Sequence, residues 1–196
     1  MLTVEQIEQL RDATRRTSQL ARQLLALSRA DARNAEVQPL QEVDLKELCE
    51  SMLETFIDRA SIKHLDFGLE VEPASVWGHS WLLRELVSNL VENAIKYTPE
   101  GTTITVTASV ADGDCVLSVQ DAGPGLPVHL SPEQLFEPFT RGQAESAVFG
   151  MGLGLALAQR IVQAHGGRLR VAAAEPGPGT IFSVHLPVPE QPAMDE

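Results

Sequence analysis

The stretch from Thr102 to Asp121 leaves this chain the least freedom. Thr102–Val110 alternates with period two, Asp112–Gly113 is a turn dipeptide, and Cys115–Asp121 follows as a second apolar-rich run. Period two sends successive side chains to opposite faces of a strand, and an Asp-Gly turn folds the second run back beside the first. The pair reads as an antiparallel hairpin. A two-stranded ribbon is marginal by itself, so its apolar face needs cover from the rest of the chain.

The flanking sequence supplies that cover. Asp44, with Glu47 three residues on, caps a helix running to about Ala60. A strand near Leu65–Val71 and a short one at Ser75–Trp77 lead into a helix from about Ser80 to Tyr97, closed by Pro99 and Gly101. From Ala122 to Gly150 the chain is punctuated by Gly and Pro, with little periodicity beyond a helical turn at Pro132–Leu135. Connections of that length usually carry function. A helix from Gly152 to His165 ends at Gly166–Gly167, and strands Arg168–Ala173 and Thr180–Leu186 flank a turn at Pro176–Gly179. The expected fold class is α+β: a two-layer sandwich whose mixed, mainly antiparallel sheet carries helices on one face.

At 196 residues the chain suits one medium domain with an appendage, and 43% hydrophobic content is enough for a core. Fifteen Lys and Arg against 27 Asp and Glu give a net charge of −12, which argues against bulk attraction to nucleic acid or anionic membrane. No apolar run approaches the ~18–20 residues that span a bilayer. Leu2–Leu10 reads as a charged amphipathic helix, not a signal peptide. Cys49 and Cys115 lie far apart without metal-ligand spacing and read as buried thiols of a reducing compartment.

The acidity is uneven. Residues 1–33 carry six Arg and four acids, a net of +2, whereas the remainder carries nine basic and 23 acidic residues, a net of −14. The first segment has no Gly or Pro and places Leu10, Ala13, Thr17, Leu20, Leu24 and Leu27 at alternating spacings of three and four, the seam of a helical bundle. Around Asn34–Pro39 the pattern stops, and Pro39 keeps the residue before it extended. The expected organisation is a long N-terminal helix over residues 1–34, a linker over 35–40, a globular body over 41–188 and a frayed tail over 189–196.

Three groups of residues could carry chemistry. Asn89, Asn93 and Lys96 fall at i, i+4 and i+7 of one helix and so share a face. An Asn carbonyl is a hard ligand suited to Mg²⁺, and Lys offers a point charge to phosphate; taken alone, a solvated helix face explains the triplet as well. Asp121 ends a strand and precedes Ala122-Gly123-Pro124-Gly125. It is either a turn initiator or a pocket carboxylate that accepts from an exocyclic amine such as adenine N6, with glycines letting the backbone approach the base. The run from Gly150 to Leu155 opens a helix whose free N–H groups can receive phosphates. Leu155 breaks the dinucleotide fingerprint, and no Gly-Lys-Ser/Thr follows to make a P-loop.

The order and spacing of these groups are far more specific than any one of them. Asn89-x3-Asn93-x2-Lys96 is followed 28 residues after Asn93 by Asp121-x-Gly-x-Gly, and 29 residues later by the glycine run at Gly150, with Phe136-Glu137-Pro138-Phe139-Thr140-Arg141-Gly142 between. The stretches "NLVENAIKYTPEG", "DAGPGL", "LFEPFTRG" and "GMGLGLALAQRIVQAHGG" resemble the N, G1, F and G2 boxes of the catalytic, ATP-binding domain of bacterial two-component sensor histidine kinases, which have the Bergerat or GHKL ATPase fold. The resemblance covers roughly residues 40–188. It implies that Asn93 is the Mg²⁺ ligand, with Asn89 beside it near the phosphates and Lys96 on phosphate. Tyr97 would pack against adenine, Asp121 would bind its N6, and Gly123 and Gly125 would shape the base pocket. Arg141 would reach towards the γ-phosphate, making Asn89, Lys96 and Arg141 the catalytic candidates. The phosphate-binding run would be Gly150, Gly152, Leu153 and Gly154, with Thr180 assisting at the adenine side and residues 143–149 forming a lid over ATP.

The N-terminal "LARQLLALSRAD" resembles the end of the second helix of the family's dimerisation and phosphotransfer hairpin. That resemblance implies a homodimer through these helices in an intact parent, a response-regulator receiver domain as partner, and a cytoplasmic location beneath an inner-membrane sensor. One departure matters: none of His64, His79, His129, His165 and His185 lies in the His-Glu/Asp-x-x-x-Pro setting of a phospho-acceptor. The expectation is an Mg-ATP-binding kinase region that does not phosphorylate itself. His79 stands where many relatives have Asp.

Two other readings compete. In gyrase- and chaperone-type ATPases of this fold, a Glu four residues before the Mg²⁺ Asn activates water; here that position is Asn89, which cannot act as a general base. An ATP-binding regulator or serine kinase of anti-sigma type is the alternative from another class.

Overall fold

The computed structural model describes residues 39–127, 129–140, 152–175 and 177–189, together with Thr3, Gln6 and Thr14. In chain order its elements are β1 (Gln41–Asp44), α1 (Leu45–Glu50), α2 (Leu53–Ile62), β2 (Asp66–Val71), β3 (Ser75–Gly78), α3 (Ser80–Tyr97), β4 (Thr103–Ala111), β5 (Asp114–Asp121), α4 (Pro132–Leu135), α5 (Gly154–Ala164), β6 (Arg168–Ala173) and β7 (Thr180–Pro187).

The hairpin forms as its sequence requires. β4 and β5 pair antiparallel from Ile104↔Asp121 to Ala111↔Asp114, and the turn residues Asp112 and Gly113 both take positive φ, at 52° and 81°. Both central residues of a type I′ turn must do so, which is why Asp-Gly stands there. β7 adds to β5 antiparallel, β6 adds to β7 antiparallel, and β2 lies parallel to β4, giving a five-stranded sheet of order β2-β4-β5-β7-β6.

Alternation then decides which face is covered. Ile104, Val106, Ala108, Leu117, Val119, Phe182, Val184 and Leu186 are buried on the strands. They join one core with Leu83, Leu86, Leu90 and Val91 of α3 and with Leu157, Ala158, Ile161 and Val162 of α5. Each Val, Leu, Ile or Phe side chain among them stabilises by roughly 1.5–3 kcal/mol. The result is the expected α+β sandwich with helices on one face.

Two details differ from the sequence reading. The helix expected from Asp44 to Ala60 is two helices, because the Ser51 hydroxyl accepts the role of terminator: it donates to the Leu48 carbonyl at 2.6 Å, while the Ser51 N–H turns back on Glu47 and Cys49. Asp44 does cap α1, but its carboxylate takes the Lys46 N–H at 2.8 Å and also the Ala74 N–H at 3.2 Å, tying the cap to the approach to β3. Gln41–Asp44, where the sequence reading placed no strand, forms β1 against β3, from Gln41↔Gly78 to Asp44↔Ser75. A four-residue strand has no periodicity to read and exists only with its partner.

In the N-terminal segment Gln6 and Thr14 are helical, and Thr3 and Gln6 exchange hydrogen bonds at 3.0 and 3.2 Å as a capping box. The rest of the long helix expected over 1–34, and the tail from 190, lie outside the described residues. No helix among the described residues is long and apolar enough to cross a membrane.

Candidate nucleotide site

Helix α3 sets the site's axis. Its core face fixes its roll on the sheet, and Lys63 holds its C-terminal end by donating to the carbonyls of Ile95 and Lys96 at 2.8 and 3.0 Å. An Arg59–Glu92 ion pair fastens α2 alongside. From Asn89 to Tyr97 the helix advances ~12 Å, the scale of a nucleoside triphosphate.

At the Tyr97 end, chain segments far apart in sequence converge. Asp121 is 5% exposed, and its Oδ1 accepts the Gly123 N–H at 2.8 Å and the Thr180 N–H at 3.3 Å. Oδ2 accepts nothing from the described residues, so one oxygen orients the group and the other remains for a donor. Burial pushes the Asp121 carboxyl up from its ordinary value, and the Gly123 and Thr180 N–H groups pull against that rise. A Cβ at Gly123 would lie 2.7 Å from Asp121 Oδ1 and 3.4 Å from the Tyr97 carbonyl, so this loop packs on the end of α3. Gly125 takes φ 84°, where a side chain would be strained, and a Cβ at Gly179 would collide with the Asp121 carbonyl at 2.1 Å. Thr180 is buried at the start of β7, opposite Asp121.

Lys96 does not stand free: its Nζ lies 3.1 Å from Tyr97 Oη and 4.7 Å from the centre of that ring, a cation–π contact. Thr98, which follows, is a residue that sequence reasoning missed. Its hydroxyl is fully buried with no hydrogen-bond partner among the described residues, a state that costs about 1–3 kcal/mol. Only burial discloses it, since a Thr before Pro99 reads as a helix terminus.

At the other end Asn89, 5% exposed, donates through Nδ2 to the Glu85 carbonyl at 2.7 Å. Its Oδ1 faces the start of α5, where a Cβ at Gly154 would come within 3.1 Å. Asn93, four residues on, is half-buried on the same helix face. Gly152 has φ 67°, and a side chain there would meet the Thr140 carbonyl at 2.5 Å; its own carbonyl accepts the Phe139 N–H at 3.0 Å. The segments holding Phe136–Thr140 and Gly152–Gly154 are thus locked together beside Asn89. Helix α5 begins at Gly154 with Leu153 before it, and the first-turn N–H groups of an eleven-residue helix are free to receive an anion. Arg141, Gly150 and residues 143–149 lie outside the described residues.

Residues 78–190 match the family described as histidine kinase-, DNA gyrase B-, and HSP90-like ATPases, and the chain belongs to it. It is 35% identical over 181 residues to the sensor histidine kinase RppB of Synechocystis sp., covering 89% of this chain and 38% of that protein. Among solved structures it resembles the mycobacterial sensor histidine kinase MprB (TM-score 0.68, 35% identity, 78% of this chain and 99% of that one). It also resembles full-length ShkA in complex with AMPPNP (TM-score 0.77, 30% identity, 98% of this chain and 41% of that one). Within the family, then, the chain corresponds to the ATP-binding catalytic region of sensor histidine kinases, and the anti-sigma alternative is not favoured. It spans less than two fifths of the curated relative's length.

Proposed function

We propose that this chain binds Mg-ATP between α3 and α5 and presents the γ-phosphoryl group to a histidine that is not among its 196 residues. The observation that carries the reading is the placing of two groups along α3: a buried carboxylate with one oxygen open beyond its C-terminal end, and a buried Asn against which Gly154 at the start of α5 packs closely.

The donor set fits a nucleotide. Asp121 Oδ2 is an acceptor for the adenine amine, while the Thr180 N–H, brought in from 59 positions away, holds the other oxygen. Tyr97 supplies an aromatic wall, and Gly123 and Gly125 leave room for the base. Gly152, Leu153 and Gly154 offer backbone N–H groups to phosphates, and Gly150 and Arg141 complete that set in the neighbouring segment. Asn93 would hold Mg²⁺ through its carbonyl, with Asn89 beside it and Lys96 adding positive charge once it leaves Tyr97. Bound ATP supplies a transferable phosphoryl group, and the metal neutralises its charge. The protein's part is positioning and electrostatics; Asn89 has no basicity with which to activate water.

Free thiols at Cys49 and Cys115, both buried, accord with a reducing cytoplasmic setting. A receiver domain as phosphoryl acceptor and a homodimer built through residues 1–34 belong to this reading. Residues 1–34, 35–40 and 41–188 would then be the second helix of a dimerisation hairpin, a linker and the catalytic domain.

Titration calorimetry tests the pocket. Mg-AMPPNP should bind the parent chain, D121N should lose at least tenfold in affinity, and chelating the metal should weaken the parent. Equal affinities for parent and D121N would remove Asp121 from the site.

A further inference from the structure

We propose a second, separate anion site at the N-terminus of α3, built to take a phosphate-class oxyanion. A surface cavity of about 350 Å³ opens there, lined by Pro39, Gln41, His79, Ser80, Trp81 and Arg84. It lies ~14 Å along the helix from Asn89, at the opposite end from the nucleotide pocket.

Three independent features give the cavity its chemistry. Helix α3 has 18 residues, its N-cap His79 makes no side-chain cap bond, and its first turn holds no acid, so the positive end of the dipole is uncompensated. His79 itself is 9% exposed, and no hydrogen bond from its imidazole to a described residue is formed at the cap. The residue is nonetheless held in place: its backbone N–H donates to His165 Nε2 at 3.1 Å, and the two rings meet edge to face at 6.0 Å. The ring lines the cavity and makes no side-chain cap bond, so its N–H is available to an occupant of that cavity.

Arg84, one turn beyond Ser80, is exposed and forms no ion pair with a described residue. By contrast Lys46, Arg59 and Arg168 are paired with Glu50, Glu92 and Asp114. None of the six lining residues is acidic, although the chain carries a net −12. An oxyanion would therefore meet Arg84, the imidazole N–H, the Ser80 hydroxyl, the Gln41 amide and the positive end of the helix dipole, with no carboxylate among the described lining residues. Because Pro39 and Gln41 enter the body at this cavity, its occupant would also fasten that entry to α3.

Inorganic phosphate, added to the ¹⁵N-labelled, nucleotide-free chain at constant ionic strength, tests the site. Saturable shifts of the Ser80 and Trp81 amides at low millimolar phosphate are expected, weakened at least tenfold in Arg84→Ala. His79→Asp should abolish them while raising Tm, because its carboxylate would cap the helix in the anion's place. Shifts confined to Gly152–Leu155, shifts that never saturate, or an Arg84→Ala response equal to the parent's would overturn the proposal. Arg84 is exposed, so that variant keeps the test open should His79→Asp fail to fold.

Discussion

Asp121 concentrates the residue-scale physics of the site. Its burial holds a charge away from water, and two backbone N–H groups offset only part of that penalty. A carboxyl whose folded pKa is raised binds its proton more tightly in the native state than in the unfolded one. The ionised group therefore subtracts from stability at neutral pH, and the loss is relieved as pH falls through the raised value. Asp121→Asn keeps an acceptor for Gly123 and Thr180 but carries no charge. Its Tm should equal or exceed the parent's at pH 7.5, with the difference shrinking on acidification. A variant clearly less stable at pH 7.5 would show that the ionised carboxylate contributes to the fold itself. The same low polarity governs Cys49, where burial, then Asp44 and Glu50, push the thiol up to about 12 and leave it inert.

At the scale of elements, the His79–His165 contact ties the end of α5 to the start of α3. His165 accepts the His79 N–H at Nε2, and its Nδ1 lies 2.7 Å from the Ile161 carbonyl, which assigns the neutral imidazole with its proton on Nδ1. A Cβ at Gly78 would come within 2.7 Å of this ring, so β3 passes directly against it. Burial first, and the neighbouring His79 after it, lower the His165 pKa from 6.5 despite the Ile161 bond. Stability from the neutral ring is complete above 6.5 and is lost as pH falls towards the lowered value. His165→Ala should lose about 2–4 kcal/mol at pH 7.5 through two hydrogen bonds and a cavity. The gap to the parent should narrow between pH 7 and pH 5 in thermal melts; a constant gap would separate His165 from the acid sensitivity. Most elements were legible in sequence because they carry their own period and stops: Ser80–Tyr97 has an apolar face and Pro99, and Thr102–Asp121 has its turn. β1 and the break at Ser51 were not, since one depends on a partner strand and the other on a single hydroxyl.

For the whole molecule, the acidic body and a highly charged nucleotide are in tension. The chain offers few cations near the groove, so metal and helix N-terminus must hold the phosphates. With γ-labelled ATP the chain should acquire no acid-labile phosphate, because none of its five histidines stands in an acceptor setting. A separately supplied dimerisation bundle should become labelled. Steady-state hydrolysis should be slow, and turnover of many per minute would reverse the assignment of Asn89. Labelling of the chain alone would place an acceptor within it.

The sequence by itself determined the period of each main element, the order of the four boxes and the family they resemble, because strand alternation, helix faces and caps act over a few residues. Only the tertiary structure decided what meets. It brings Thr180 to Asp121 across 59 positions and His165 to His79 across 86, sets Gly154 against Asn89, and leaves the Thr98 hydroxyl without a hydrogen-bond partner among the described residues. Such contacts follow from sheet order and from how closely two helices pack. Neither leaves a periodic mark on the chain.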